Sequence, residues 1–431
     1  MTSTPPRKSS RPLHDVRESL RTSEMADSHR ISITGMGAVT PVGATASDLW
    51  AGALRAQPTT QIIPHLQASG HSVPFGSPAV SPQVPEGMSA KNFRRMDRFA
   101  QLGVSAGVEA YHDSGVSGAD PTRVAVVVGN AVGGRAASDR ESAQYAVAGP
   151  SAVSPLMPTM TMPNAAAAMI AIHLGISGPA HTVATTCASG LDAIGYGMTL
   201  LRSGRVDVVL AGGCESTLTP VTMAAFAALN ALSTRREDPS GASRPFDRDR
   251  DGFVMGEGGA FVVLEREKDA VARGARIWGT VLGYGSTTDA FHLTQPHPGG
   301  VGAEAAIRQA LAEAGVGSDE ISHVNSHGTS TPLNDKVEAQ VIHRVFTNHS
   351  PPVTALKGVT GHMLGASGTA EVIVTVRSVS EGIVPPVANH SLTDPECPVD
   401  VVTGDSRQLR PGPALTNSFG FGGHNAALVV V

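Results

Sequence analysis

Apolar positions along the 431-residue chain fall into short β-rich runs that alternate with longer stretches of helical period. Runs of Val, Ile, Leu and Phe at 31–37, 124–128, 207–211 and 261–264 predict strands. Between them, apolar residues three and four apart predict helices over 96–115, 164–174, 191–203 and 220–229. A second series begins with a strand at 276–284 and a helix over 302–314. It continues with a strand at 321–325 and helices over 335–346 and 368–381, and it closes on an apolar strand at 425–431. Near-continuous apolar strands between helices predict an α/β protein with buried sheets.

The two series resemble each other at their ends. Asp251-Gly-Phe-Val-Met-Gly-Glu-Gly-Gly-Ala-Phe and Asn417-Ser-Phe-Gly-Phe-Gly-Gly-His-Asn-Ala-Ala both read as a Gly-rich turn feeding an apolar strand. The strand openers Arg30-Ile-Ser-Ile-Thr-Gly and Arg276-Ile-Trp-Gly-Thr-Val stand in the same relative place. We expect an internal duplication, with an N-terminal half at 30–275 and a C-terminal half at 276–431. Ordinary α/β recurrence also produces such matches, and Gly-rich turns before strands also arise as plain bulges. Residues 1–29, rich in Ser, Pro, Arg and Glu and lacking a signal peptide's apolar core, read as a disordered leader.

Composition narrows the function. The formal net charge is -5, and no Lys/Arg run is long enough to track a nucleic-acid backbone, so a nucleic-acid partner is not expected. No apolar run reaches the length of a membrane span. Cys187, Cys214 and Cys397 form neither a metal-ligand spacing nor a disulfide framework, which points to a reducing cytoplasm and to no metal.

Chemistry concentrates at three places. Cys187, in Ala184-Thr-Thr-Cys-Ala-Ser-Gly190, stands at a strand-to-helix elbow, where unpaired amides and the helix dipole favour a thiolate. It is a candidate nucleophile; a small buried cysteine packing a helix start is the plainer alternative. His327 and His362 lie in Asn325-Ser-His-Gly-Thr-Ser-Thr331 and Lys357-Gly-Val-Thr-Gly-His362, bracketed by glycines and turn formers that let an imidazole reach a cavity. The other histidines read as surface or packing residues; His323, His343 and His349 are expected to be solvated.

These blocks, in this order, resemble the active-site motifs of the β-ketoacyl–acyl carrier protein synthases, the ketosynthases of the thiolase superfamily, over about residues 30–431. Gly35-Met-Gly-Ala-Val-Thr-Pro-Val-Gly43, Ser243-Arg-Pro-Phe-Asp-Arg-Asp-Arg-Asp-Gly-Phe253 and Asn417-Ser-Phe-Gly-Phe-Gly-Gly423 support it. The resemblance implies a thiolase-like duplicated five-layer α-β-α-β-α sandwich of two five-stranded sheets, dimeric, with decarboxylative Claisen condensation as its activity. It implies that Cys187 takes the acyl group, that His327 and His362 hold the malonyl thioester oxygen, and that Lys357 pairs with Glu371. It places Phe421 at the oxyanion hole and gate, Thr329 and Thr331 in support, and Val132 on the acyl tunnel, with Met157, Met160 and Met162 packing that tunnel or the dimer interface. An acidic acyl carrier protein would dock on Lys91, Arg94 and Arg95, extending to Arg98. No cofactor is expected, since phosphopantetheine arrives on the carrier protein.

Small departures from the commonest family text, such as Ser326 and His424, remove no reacting group. The stretches 191–195 and 394–400 lean towards type II polyketide ketosynthases rather than fatty-acid ones. Two other readings remain at this point. A non-elongating chain-length subunit would lack Cys187, and a thiolase proper would carry a second cysteine in the terminal block. The oligomer is a homodimer or a heterodimer with a chain-length-factor-like subunit.

Overall fold

A computed structural model describes residues 30–431. The expected leader at 1–29 lies outside the described residues. Eleven strands share one hydrogen-bonded system: β1 Ile31–Val39, β2 Val124–Gly129, β3 Ala180–Val183, β4 Val208–Glu215, β5 Gly258–Arg266, β6 Gly279–Thr288, β7 His323–Asn325, β8 Pro352–Thr354, β9 Asp400–Val401, β10 Ala414–Gly420 and β11 His424–Val430. The main helices are α1 Ala46–Arg55, α2 Arg98–Asp113, α3 Arg135–Ala148, α4 Ala165–Leu174, α5 Ser189–Arg202, α6 Pro220–Ala228, α7 Val301–Ala314, α8 Pro332–Val345 and α9 Ser367–Glu381.

The duplication is visible in strand order and direction. From the centre outwards the first half runs β1-β5-β4-β2-β3 and the second β6-β11-β10-β7-β8, with β9 added at the edge. Pairing is antiparallel, antiparallel, parallel, parallel in both. The two five-stranded sheets are joined where β1 meets β6 through Ile31–Val281, Ser32–Thr280 and Ile33–Gly279.

Helices α5 and α9 pack on each other and touch strands of both halves, forming the middle layer. Helices α2 and α4 cover the outer face of the first sheet, and α7 with α8 covers the second, which completes the five layers. Burial on all but a strip at Tyr196 and Thr199 explains the sequence of α5, whose Leu191, Ile194, Met198 and Leu201 join Ile373 and Val376 of α9 in one core. Gly190 is required where α5 meets the other half, since a Cβ there would lie 2.8 Å from the Gly365 carbonyl oxygen.

Two expectations change. The supposed Gly-rich turns are partly strand: residues 251–257 stay outside the strands, but Gly258 and Gly259 open β5, and Asn417–Gly420 ends β10, which leaves residues 421–423 as the second turn. A Cβ at Gly259 would sit 2.6 Å from the Leu102 carbonyl oxygen, so glycine marks close packing of α2 on the strand. His323 is fully buried at the start of β7, not solvated, and burial pushes its pKa down to about 3. β8 and β10 close the edges of β7, and α9 covers its face, where Asn325, two residues on from His323, meets Glu371 and Thr375. His343 is exposed and His349 half-buried.

Candidate active site

The functional side chains arrive at the C-terminal ends of parallel strands, where α/β sheets usually place their sites. Cys187 follows β3 in the single turn Thr186–Ala188 that leads into α5. His327 follows β7. His362 follows β8 and the short helix Lys357–Thr360, and its backbone is fixed by bonds from its N–H to Val254 and to its carbonyl from Gly256.

Fold pairing brings the three together across a cavity of about 510 Å³ that Phe421, Val132, Thr329 and Thr331 also line. His362 Nε2 lies 3.0 Å from Cys187 Sγ. The two imidazoles stand edge to face, 5.3 Å between ring centres. Behind His327, the buried Lys357 ammonium donates to its Nδ1 at 3.2 Å, to its carbonyl oxygen at 2.5 Å and to Glu371 Oε1 at 2.5 Å. Lys357 is 1% exposed, a cation fully enclosed by the protein.

Hydrogen-bond polarity sets the tautomers. Lysine is a donor only, so His327 Nδ1 must accept and its proton sits on Nε2, towards the cavity. Ser367 Oγ accepts from the Met363 N–H at 2.9 Å and turns its own proton to His362 Nδ1 at 3.1 Å, which again leaves the proton on Nε2. Burial, reinforced by the Lys357 charge, holds both histidines well below the usual imidazole range, so both are neutral donors. Cys187 Sγ and one nitrogen from each histidine lie within 4.8 Å of one another, a spacing a metal can use. Metal binding needs a lone pair on each Nε2, and the donors at both Nδ1 atoms oppose that. The donor set suits a developing oxyanion.

The thiol departs from expectation. Burial pushes Cys187 up to about 12, and neither Lys357 nor the Phe421 N–H, both of which favour the anion, offsets that. The elbow therefore holds a thiol at rest; the dipole is outweighed because Cys187 is only 7% exposed. Its alkylation by iodoacetamide is expected to rise about tenfold per pH unit through pH 9. A plateau below pH 8 in that profile would show instead a resting thiolate.

Two further groups escaped the sequence reading. Glu338 on α8 accepts from the His327 and Gly328 N–H groups at 2.7 and 2.8 Å and so fixes the histidine backbone. Burial pushes it up to about 7. Ser367 had a signal in the sequence: Ala188-Ser189-Gly190 recurs as Ala366-Ser367-Gly368. The structure superposes their roles, since Ser189 Oγ accepts from the Thr185 N–H as Ser367 does from Met363.

Other expected residues are placed as follows. Thr329 and Thr331 share a hydroxyl contact of 2.9 Å. Phe421 stacks on Phe226 at 6.3 Å, and Phe253 packs its edge on His362. Lys91 and Arg94, on the helix Ala90–Arg94, and the adjoining Arg95 are exposed while Phe93 anchors the segment. Arg98 is bound to Glu257 through Nε at 2.7 Å, so it is not a free docking cation. Met160 is buried, and none of the three methionines lines the cavity.

A duplicated five-layer sandwich with a Cys–His–His cluster at the ends of its central elements is a thiolase-like fold built for acyl chemistry. The chain belongs to the beta-ketoacyl synthase family: the N-terminal domain model matches residues 28–270 and the C-terminal domain model residues 278–391. The 3-oxoacyl-[acyl-carrier-protein] synthase 2 of Synechocystis sp. is 41% identical over 403 residues, covering 93% of this chain and 97% of its own. Among solved structures, the ishigamide ketosynthase/chain length factor gives a TM-score of 0.86 at 32% identity, covering 93% of this chain and 98% of its own. A type II PKS acyl-carrier protein in complex with its ketosynthase gives 0.87 at 27%, covering 93% and 98%.

Proposed function

We propose that this protein is an elongating β-ketoacyl–acyl carrier protein synthase, an acyltransferase of type II polyketide or fatty acid biosynthesis. The observation that carries the reading is the pair of neutral Nε2–H donors facing one buried thiol. Cys187 Sγ attacks the carbonyl of an acyl thioester, and the departing pantetheine sulfur leaves as a thiol carrying the Cys187 proton. The Cys187 and Phe421 amides hold the tetrahedral oxyanion. A malonyl thioester then loses carbon dioxide, and its enolate oxygen takes hydrogen bonds from His327 and His362. Neutral donors stabilise that charge without a ready proton to quench the carbanion. The carbon attacks the acyl-enzyme, the C–S bond breaks, and Cys187 regains a proton from solvent.

Lys357, paired with Glu371, keeps His327 in the donating tautomer; Thr329 and Thr331 support the cavity wall and Val132 lines the acyl path. The halves at 30–275 and 276–431 supply the thiol and the histidines respectively. Exposed Lys91, Arg94 and Arg95 suit an acidic acyl carrier protein, whose phosphopantetheine serves as the substrate arm with no resident cofactor. The partner subunit is a second copy or a chain-length-factor-like chain, as the ketosynthase/chain length factor relative suggests. We place the protein in the cytoplasm, in keeping with three free cysteines and with no helix, among the described residues, long and apolar enough to cross a membrane.

The stretches that lean towards polyketide relatives have structural duties here. Asp192 accepts from Thr185 and Tyr284, and Asp394 pairs with Arg250, so neither separates the two pathways. Intact-mass analysis after incubation with a panel of acyl carrier thioesters tests the assignment. One acyl group is expected on the parent protein, mapped to Cys187 and absent from Cys187→Ala. Acylation elsewhere, or no adduct from any carrier thioester, would overturn it.

A further inference from the structure

Thr186, immediately before the nucleophile, is held at φ 52°. That left-handed conformation suits glycine and is an outlier for a β-branched side chain. Strain of this kind persists where surrounding contacts over-determine it, and it clusters at functional sites. The contacts are specific. Thr186 Oγ donates towards the Phe421 carbonyl oxygen at 2.8 Å, sharing its proton with the Thr185 carbonyl oxygen at 2.8 Å. Gly420 presses on the same hydroxyl, since a Cβ there would sit 2.2 Å from Thr186 Oγ and 3.1 Å from the Cys187 nitrogen.

The loop at 420–423 is therefore pinned from two sides. On its outer side the Gly422 N–H donates to the Leu293 carbonyl oxygen at 2.7 Å, and the Gly423 carbonyl accepts from the Asp289 N–H at 2.8 Å. Asn425 Nδ2 also donates to the Gly423 carbonyl at 3.1 Å, and on the inner side Thr186 provides the side-chain hydrogen bond to Phe421. Phe421 is thus held at its carbonyl, which Thr186 takes, while its N–H is near enough to the Cys187 sulfur to favour the anion. Its ring lies against Phe226 over the cavity that leads to the thiol.

We propose that the Thr186 hydroxyl is a latch that keeps the Phe421 loop closed on Cys187 and aims its amide N–H at the oxygen of the reacting carbonyl. Thr186 is a positioning residue, acting through Phe421. Admission of an acyl group requires the latch to open, and its closure shields the acyl-enzyme from water. The second part rests on the condensing-enzyme reading above; the latch itself does not.

Three substitutions separate hydroxyl, shape and strain. Thr186→Val keeps the branched shape and loses the donor, Thr186→Gly removes donor and strain together, and Thr186→Ser keeps the donor. Iodoacetamide alkylation of Cys187 at fixed pH reads loop opening without any substrate. Loss of one hydrogen bond is expected to speed alkylation roughly threefold to tenfold in the Val and Gly variants. The Ser variant is expected to stay within about twofold of the parent. Hydrolysis of the acyl-enzyme is expected to accelerate in the same order. Parental alkylation rates in folded Val and Gly variants overturn the latch, as does a Ser variant as fast as Val. If alkylation follows the expected order while no carrier thioester loads the parent protein, the latch stands and the condensing reading falls. If loading proceeds but alkylation is indifferent to Thr186, the condensing reading stands and the latch falls.

Discussion

Cys187→Ala is expected to lower chain elongation by at least about a thousandfold while leaving decarboxylation of the malonyl thioester largely intact. The split follows from how the groups are held. His327 is fixed through Nδ1 by Lys357 and through its backbone by Glu338, and His362 is fixed by Ser367 and by backbone bonds to Val254 and Gly256. The thiol meets this scaffold at His362 Nε2, 3.0 Å away, but the bonds that orient both rings lie elsewhere, so the two Nε2–H donors still face the cavity once sulfur is gone. Removing one sulfur from a buried site costs on the order of 1 kcal/mol, so the variant stays folded. The measurement is carbon dioxide release set against ketoacyl product from the same malonyl carrier protein. Parallel loss of both activities would mean that Cys187 helps build the decarboxylating site; persistent elongation would remove it as the acyl carrier.

That split also explains which parts of the site could be read from the chain. Cys187, His327 and His362 announce themselves because each stands among Gly, Ser and Thr, residues that build turns rather than cores. Glu338 does not, since it lies on α8 among Asp335, Lys336, Gln340 and Arg344 and reads like one more charge on a solvated helix face. Only the fold shows that its carboxylate turns inward to the His327 and Gly328 amides. His323 failed for a related reason: Ile-Ser-His-Val-Asn is short and polar, and the helix that covers its face, α9, meets Asn325 through Thr375, 50 residues further along the chain. The repeat was legible in strand openers, but its sharper trace was Ala-Ser-Gly at 188–190 and 366–368. Those triplets open the two helices of the middle layer, each after a residue of positive φ, Thr186 at 52° and Leu364 at 44°. One copy of the elbow carries the thiol; the other carries Gly365 and uses its serine to orient a histidine.

Removing Lys357 is expected to have the largest combined effect on stability and activity. Its ammonium lies between Glu371 and His327, and all three are buried. In Lys357→Met the Glu371 carboxyl loses its counter-charge, and its Oε2 already has no hydrogen-bond partner. Leaving one member of a buried pair costs about 3–5 kcal/mol where that member is charged. The pH dependence has a definite sign. Burial raises Glu371 from the ordinary carboxylate range to about 7 even beside the lysine, and loss of the lysine pushes it further up. The native state then binds a proton that the unfolded chain releases, so stability is fullest below the ordinary glutamate pKa and declines as pH rises through the native value. The thermal midpoint of Lys357→Met is therefore expected to fall from pH 5 to pH 8. Adding Glu371→Gln should flatten that slope and recover most of the stability at pH 8. Activity should not recover with it. Without a donor at Nδ1, His327 is free to place its proton there and turn a lone pair to the enolate, so decarboxylation stays depressed by about a hundredfold in both variants. A double variant that regains decarboxylation along with its stability would show that Lys357 serves only to neutralise Glu371, and that the His327 tautomer is set by some other contact.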